Sequence, residues 1–555
     1  MSARRKVFVV GLDAATWELV LPWAEAGVMP TVARLIREGA RAALRSTLPA
    51  LTPPGWTSAA TGRNPGKHNV FNFYKATAGG LGRAPVTLGD LRSPRVWDIA
   101  AQHGRRSCVL HMPLTYPPQP IPGVMISGIM TPKGAEDFVA PAELKAELTA
   151  RIPGYRLEVD ADPLRKGDLE AFKQDAFDLQ RVQTEEALHL LDAEDWDLFW
   201  VMFHTLDKLQ HFYWRYMDPS HPAHPGPGPY QHTIRDFHAA FDRSLAAFLE
   251  KVPSDASIVL LSDHGSAPLH KYFCVMNWLA DNGFLGLNAD GAARRGLAAM
   301  GVDARAIVRS LRRAGLGWMP KLLPRSLKGA VPQALMGFAK VQHRIDWSRT
   351  RAYCPSAPGS GLWVNVRGRE PQGIVEPGAQ YEELLAELIE RLLAYRDPET
   401  GEPVVAAVHR RNEAYHGPHA DGGPDLQIET ARTVCMVEGL GMKPLMPAGK
   451  GPEERTGNHQ RDGILVVAGP EIRPGITLDT CIIEDVAPTV LHLLGLPIDD
   501  DMDGRVLTEA MTPAAVAARP IAVADEPYTV AANGYTYSQD DEAKIQDMLE
   551  GLGYV

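Results

Sequence analysis

The sequence predicts an α/β protein with a central, mostly parallel sheet covered by helices on both faces. Two observations carry this reading. Short apolar runs alternate with segments of helical apolar spacing, the pattern of a parallel sheet whose crossovers are helices. Three of those runs lead into Asp residues or Asp/His pairs, as expected where strand ends converge on the crevice in which open α/β sheets bind ligands.

The elements follow in chain order. Residues 6–13 read as a strand, and Thr31 to Glu38 as a helix with Val32, Leu35 and Ile36 on one face. Val96 to Ala101 reads as a helix, and Ser107 to His111 and Gly123 to Ser127 as strands. Leu169 to Leu191 has helical spacing and precedes the strand at 198–203; Ile234 to Leu249 repeats the pattern before the strand at 258–261. Glu484 to Leu494 reads as a late helix packed on the last strands. The chain divides into a discontinuous core, 1–287 with 350–515, an inserted segment, 288–349, and a tail, 516–555, in which an acidic run precedes a short helix pattern.

The insertion differs in charge. Arg294, Arg295, Arg305, Arg309, Arg312 and Arg313 belong to a set of twelve Arg and Lys facing only Asp290, Asp303 and Asp346, and Ile307, Leu311, Leu316, Leu322 and Leu323 add helical spacing. It reads as a basic helical cap. Two roles are open for it: a solvated helical face that balances an acidic core, or a cover for an anionic substrate or weak contact with an anionic membrane surface.

At 555 residues the chain suggests two or more domains. Its 45% hydrophobic and 22% charged content is ordinary for a globular protein. A net charge of -10 argues against a general nucleic-acid binder. Five scattered cysteines with no Cys-x-x-Cys pair form neither a disulfide framework nor a thiolate zinc site. The basic start Met1-Ser2-Ala3-Arg4-Arg5-Lys6 precedes an apolar run too short for a signal sequence, and no run is long enough to span a bilayer. The expectation is a cytoplasmic enzyme.

Four segments carry residues suited to metal ligation. Asp13 follows the first strand; Asp207 and His211, four apart, share one face of a helical turn; Asp263 and His264 follow the strand at 258–261; His459 lies in a loop before Gly463-Ile464-Leu465-Val466-Val467. Three aspartates and three histidines suffice for two divalent ions, a device for displacing groups at phosphorus. The mixed oxygen and imidazole set suits zinc, with manganese as a harder alternative. Leu51-Thr52-Pro53-Pro54-Gly55-Trp56 offers a nucleophile. Pro53 suits the first position of a helix, which makes Thr52 its N-cap, with free backbone N–H groups and the positive end of the dipole beside the hydroxyl. A plain capping role for Thr52 stays open, and Ser46, Thr47, Thr57 and Ser58 are rival hydroxyls.

Taken together, these residues resemble the alkaline phosphatase superfamily, in particular its type I phosphodiesterase/nucleotide pyrophosphatase branch and bacterial relatives called phosphohydrolase or phosphomutase. The Gly11-Leu12-Asp13 start, Met29-Pro30-Thr31 to Gly39, Thr61-Gly62-Arg63-Asn64-Pro65-Gly66-Lys67-His68, Asp207-x-x-x-His211, Ser262-Asp263-His264-Gly265, Gly457-Asn458-His459 and Asp485-Val486-Ala487-Pro488-Thr489 carry the resemblance. It implies an alkaline phosphatase-like sandwich fold. It implies that Asp207, His211 and His459 hold one metal and Asp13, Asp263 and His264 the other, with Thr52 bridging to it and Asn72 donating to a phosphate oxygen. The chain departs from sulfatases, which require Cys or Ser with a following Arg where this chain has Thr52 to Trp56. Trp56 stands where the phosphodiesterases often carry a polar residue.

The function expected is a two-metal phosphohydrolase that cleaves phosphodiester or phosphoanhydride bonds of a phosphorylated small molecule through a phospho-threonine. Phosphomonoesterase, phosphomutase and phosphoryl or phosphoglycerol transfer use the same constellation and stay open. So does a non-catalytic relative that binds a phosphorylated ligand.

Overall fold

The computed structural model describes residues 4–76, 83–288, 344–355, 361–437, 439–440, 443–449, 451, 454–530 and 534–554. The expected basic cap, 288–349, lies outside the described residues apart from its two ends.

A ten-stranded sheet organises the chain. Its order is Ile476–Thr477, Ala40–Arg45, Asp462–Ala468, Ser257–Leu261, Val7–Leu12, Leu198–Phe203, Ser107–Met112, Gly123–Ser127 and Val139–Ala140, with Cys481–Ile482 also pairing Ala40–Arg45. The central strands run parallel; Asp462–Ala468 is antiparallel to both its neighbours, as is Val139–Ala140 to Gly123–Ser127. The sheet is therefore mostly parallel, as expected. Ala40–Arg45 escapes a reading of the sequence because alanine and arginine carry weak strand preference.

The central strands are apolar at every position because both faces are covered. Side chains alternate between the faces. Phe8, Val10 and Leu12, with Phe199, Val201 and Phe203, enter one hydrophobic cluster, whereas Val7, Val9, Leu198, Trp200 and Met202 enter the other. The helices Pro30–Glu38, Leu169–Ala193, Thr205–Met217 and Thr233–Lys251 supply the first cluster; Thr52–Thr61, Val96–Gln102 and Val486–Leu493 supply the second. Each phenylalanine fully buried in this way contributes about 1.5–3 kcal/mol. A third cluster joins residues 273–285 to parts of 345–436, on both sides of the insertion, around the helix Ala379–Ala394.

Register places the functional ends level. Leu12 pairs with Phe203 and Gly11 with Leu261, so Asp13, His204 and Ser262 leave the sheet side by side. Asp13 N donates to Phe203 O at 2.9 Å, extending the ladder by one bond beyond the strand. Trp56 also acts here. A Cβ on Gly11 would fall 2.3 Å from its ring, so the glycine lets the outer edge of the indole approach the strand. Trp56 is buried in the hydrophobic core. No single described helix is long and apolar enough to cross a membrane.

Candidate metal centre

The helix Thr205–Met217 begins just past the strand Leu198–Phe203, and one turn separates Asp207 from His211 on its buried face. His211 Nε2 lies 3.2 Å from Asp207 Oδ2, and His459 Nε2 lies 3.2 Å from Asp207 Oδ1 and 3.0 Å from His211 Nε2. His459 is not in a loop, as the sequence suggests. It sits in a short strand, Gly457–Gln460, antiparallel to Gly265–Pro268, with Ser266 as its register partner. Four residues, Gly457-Asn458-His459-Gln460, give too little alternation to be read as a strand. The antiparallel pairing brings His459 beside His264, with the two rings stacked at 4.0 Å between centroids.

Asp13, Asp263 and His264 are fully buried. His264 Nε2 lies 3.5 Å from Asp13 Oδ1 and 3.5 Å from Asp263 Oδ2. Ligand atoms fall into two groups, Asp207 with His211 and His459, and Asp13 with Asp207 and His264, each within 4.8 Å of one another. Asp207 thus belongs to both groups and links them. The structure therefore brings all six predicted side chains into one pit.

The three imidazoles are oriented alike. Nδ1 of His459 faces Ala50 O at 3.0 Å, Nδ1 of His264 faces Gly265 O at 3.1 Å, and Nδ1 of His211 faces Gly457 O at 3.2 Å. A carbonyl only accepts, so a proton on Nδ1 of His459 and of His264 satisfies these contacts and leaves Nε2 with its lone pair, whereas the His211 ring also has the Arg455 Nη2 donor 3.0 Å from both nitrogens. Both carboxylate oxygens of Asp13 and of Asp263, Asp207 Oδ1 and His264 Nε2 are buried without a hydrogen-bond partner among the described residues. Burial, then the nearby Asp263 and Asp207 charges, push the Asp13 carboxyl well above its usual range. Asp263 is pushed up to about 8, chiefly by burial. Burial pushes Asp207 the same way, but His211 and His459 more than offset it and hold it low. Burial and Arg455 push His211 down to about 4, and burial with His459 holds His264 well below the usual imidazole range. Clustered buried carboxylates beside neutral imidazoles are costly without a cation between them. The donor set fits divalent metal ions.

Thr52 opens the helix whose first turn packs against Asp263, and it is not the N-cap. The helix Thr52–Thr61 is capped by Leu51, no side chain caps it, and Thr52 opens the first turn with its Oγ1 buried and unpartnered among the described residues. A Cβ on Gly55 would lie 3.2 Å from Asp263 Cβ, so the first turn packs directly on Asp263. The rival hydroxyls are mostly occupied. Thr57 Oγ1 donates to Pro53 O at 2.6 Å, Thr47 Oγ1 to Pro49 O at 2.8 Å, and Ser58 Oγ pairs with His68 Nε2 at 2.9 Å. Ser46 Oγ is unpartnered, but the residue lies at the strand edge, where its N–H bonds Arg461 O. The far end of the Thr52 helix is held by Arg63, buried against Asp499 at 2.5 Å, and by Asn64 N donating to Asp503 at 2.8 Å.

Two clefts adjoin the loop before Thr52. One, of about 480 Å³, includes Leu51, His459, Arg45, Arg432, Arg455 and Arg461 in its walls. The other, of about 410 Å³, includes Phe71, Asn72, Tyr74, Trp363 and Tyr415, and shares Pro49 with the first. Asn72 thus lines a cleft; its Oδ1 accepts from Phe73 N at 2.6 Å, and it belongs to neither group of clustered Asp and His side chains. Reading the chain residue by residue does not single out three neighbours of the pit. Arg455 Nη2 is 3.0 Å from the His211 ring nitrogens, Lys208 is buried against Glu158, and the Tyr554 hydroxyl donates to Asp207 Oδ2 at 2.7 Å. Arg455 stands four residues before His459 and Lys208 one after Asp207, a proximity that marks them in hindsight; nothing local marks Tyr554.

The profile of the type I phosphodiesterase / nucleotide pyrophosphatase family matches residues 7–460. The chain belongs to that family of phosphoester hydrolases. A search of curated protein sequences finds no significant match. Among solved structures, phosphonoacetate hydrolase from Sinorhizobium meliloti 1021 in complex with phosphonoformate shares 16% identity at a TM-score of 0.51, over 89% of this chain and 95% of that one. Human ectonucleotide pyrophosphatase / phosphodiesterase 5 shares 10% identity at a TM-score of 0.48, over 91% and 98%. The first likeness places the chain among alkaline phosphatase-like α/β folds.

Proposed function

We propose that this protein is a two-metal phosphohydrolase acting on phosphodiester or phosphoanhydride bonds, with Thr52 as nucleophile. The observation that carries the reading is the pit itself. Three carboxylates and three imidazoles converge there, with both oxygens of Asp13 and Asp263, Asp207 Oδ1 and His264 Nε2 buried without a hydrogen-bond partner among the described residues, and the Thr52 hydroxyl is likewise buried and unpartnered. Asp207, His211 and His459 would hold one ion and Asp13, Asp263 and His264 the other, with zinc favoured and manganese the alternative. Such ions, when bound, supply positive charge that acidifies a nearby hydroxyl and stabilises charge on the phosphoryl oxygens.

The chain's own part is positioning. Thr52 Oγ1, held rigid by the first turn packed on Asp263, forms the bond to phosphorus as the bond to the departing oxygen breaks, and the hydroxyl proton ends on the departing group. Water then cleaves the phosphothreonine, and its proton restores the hydroxyl. The backbone N–H groups of the first helical turn suit the phosphoryl oxygens, and Asn72 is placed in the cleft wall as a further donor. The paired clefts on either side of Pro49 favour a diester, which carries a group on each side of phosphorus, over a monoester, which carries one. The phosphonoformate bound to the solved phosphonoacetate hydrolase is in keeping with a small phosphorus-containing substrate.

The test strips the protein with a chelator, adds back zinc or manganese, and compares bis(p-nitrophenyl) phosphate with p-nitrophenyl phosphate. Turnover of the diester should vanish on chelation, return with metal and exceed that of the monoester. Inactivity on both with either metal overturns the reading.

A further inference from the structure

We propose that Tyr554 is a positioning residue for the metal centre, whose hydroxyl fixes the Asp207 carboxylate so that Oδ2 is held and Oδ1 is presented to the pit. This rests on the two-metal reading above. The helix Gln539–Gly551 is capped by the Ser538 side chain and docks through Ile545 and Leu549, leaving its acidic first turn outward. The chain then reverses at Gly553, with φ at 81°, and drives Tyr554 inward to complete burial. A surface helix followed by a fully buried tyrosine requires a specific receptor.

The receptor is the metal site. Tyr554 Oη donates to Asp207 Oδ2 at 2.7 Å. Its ring packs 4.9 Å from Phe73, next to Asn72, and meets the His211 ring edge-on at 6.0 Å. The same turn reaches His211 by a second route: Gly553 O accepts from Arg455 Nη1 at 2.9 Å, while Arg455 Nη2 stands 3.0 Å from the His211 ring nitrogens. Asp207 Oδ1 has no donor among the described residues, and Asp207 is the residue common to both ligand groups. Its orientation therefore bears on both ions.

A phenol suits this role better than a cation would. Lysine or arginine on Oδ2 would neutralise the carboxylate and compete with a bound ion, whereas a neutral O–H restrains it and leaves its charge in place. Donors behind a ligand typically change metal affinity by about 10–100-fold when removed. Packing alone would require only the ring.

Tyr554→Phe in the full chain separates the two roles, because it keeps the ring and removes the hydroxyl. Zinc affinity is read by competition with a chromophoric chelator, and the folding of the metal-free protein by thermal melting followed by circular dichroism. The expected result is a loss of about 10–100-fold in zinc affinity with the metal-free melting temperature retained. Unchanged zinc affinity overturns the proposal, whether or not the melting temperature falls. A wild-type protein that takes up no zinc or manganese sinks the two-metal reading first, and this inference with it.

Discussion

Thr52 keeps a buried hydroxyl that no described residue hydrogen-bonds, a situation that costs about 1–3 kcal/mol in a folded chain. Because Leu51, not Thr52, caps the helix, removing the hydroxyl breaks no cap. Thr52→Ala should therefore leave the melting temperature equal or higher while diester turnover falls at least about 10³-fold, the scale on which loss of a nucleophile registers. A stability loss in that variant with activity retained would assign the hydroxyl to structure and move the nucleophile elsewhere, Ser46 and Thr205 also carrying unpartnered hydroxyls among the described residues. Trp56 shows how position within a motif misleads at this scale. It follows Thr52 by four residues on the same helix, yet its side chain is buried in the core with the ring against Gly11.

Among the elements, the short strand Gly457–Gln460 has the most exacting place. A Cβ on Gly457 would fall 2.3 Å from Gln210 O, on the helix that bears Asp207 and His211. Thr456 N also donates to His211 O at 2.6 Å. The glycine lets the strand lie directly on the helix, and that contact sets the distance between His459 and His211. Gly457→Ala should push the two apart by a few tenths of an ångström or more, because backbone cannot yield as a flexible side chain does. The expected outcome is a larger proportional loss of bound metal, measured by elemental analysis after gel filtration, than of thermal stability. Equal metal content in the variant and the wild type would show that the approach is incidental to the site.

For the whole molecule, the buried carboxylates make stability depend on pH in a way that bound metal should abolish. Asp263 is pushed up to about 8 and Asp13 well above its usual range. A carboxyl raised on folding holds its proton in the folded state where the unfolded chain has lost it, so stability falls as pH rises from the usual carboxylate range through the raised value. His211, pushed down to about 4 from 6.5, acts oppositely, adding stability as pH rises between those values. The two effects compete below pH 6.5, and only the carboxylates act above it. The metal-free protein should lose thermal stability between about pH 6.5 and 8, and zinc or manganese should flatten that decline, since a ligand bound by the folded state alone stabilises it. A metal-free melting temperature that is level or rising across this interval would show that the Asp13 and Asp263 charges are neutralised by some other group.

The sequence by itself determined the central strands, the helices between them and the six polar side chains at their ends. Those signals are local: unbroken apolar runs such as Leu198–Phe203, helical spacing in Leu169–Ala193, and Asp or His within a few residues of a strand end. Only the tertiary structure decided which surfaces meet. It paired His459 with Ser266 in an antiparallel ladder that no alternation announces. It made Asp207 the link between the two ligand groups and brought Tyr554 across 347 residues of chain onto that carboxylate. Strand and helix preference arise from each residue's own backbone and neighbours, whereas a ligand's second oxygen is satisfied by whatever the fold places beside it, and sequence distance carries no record of that.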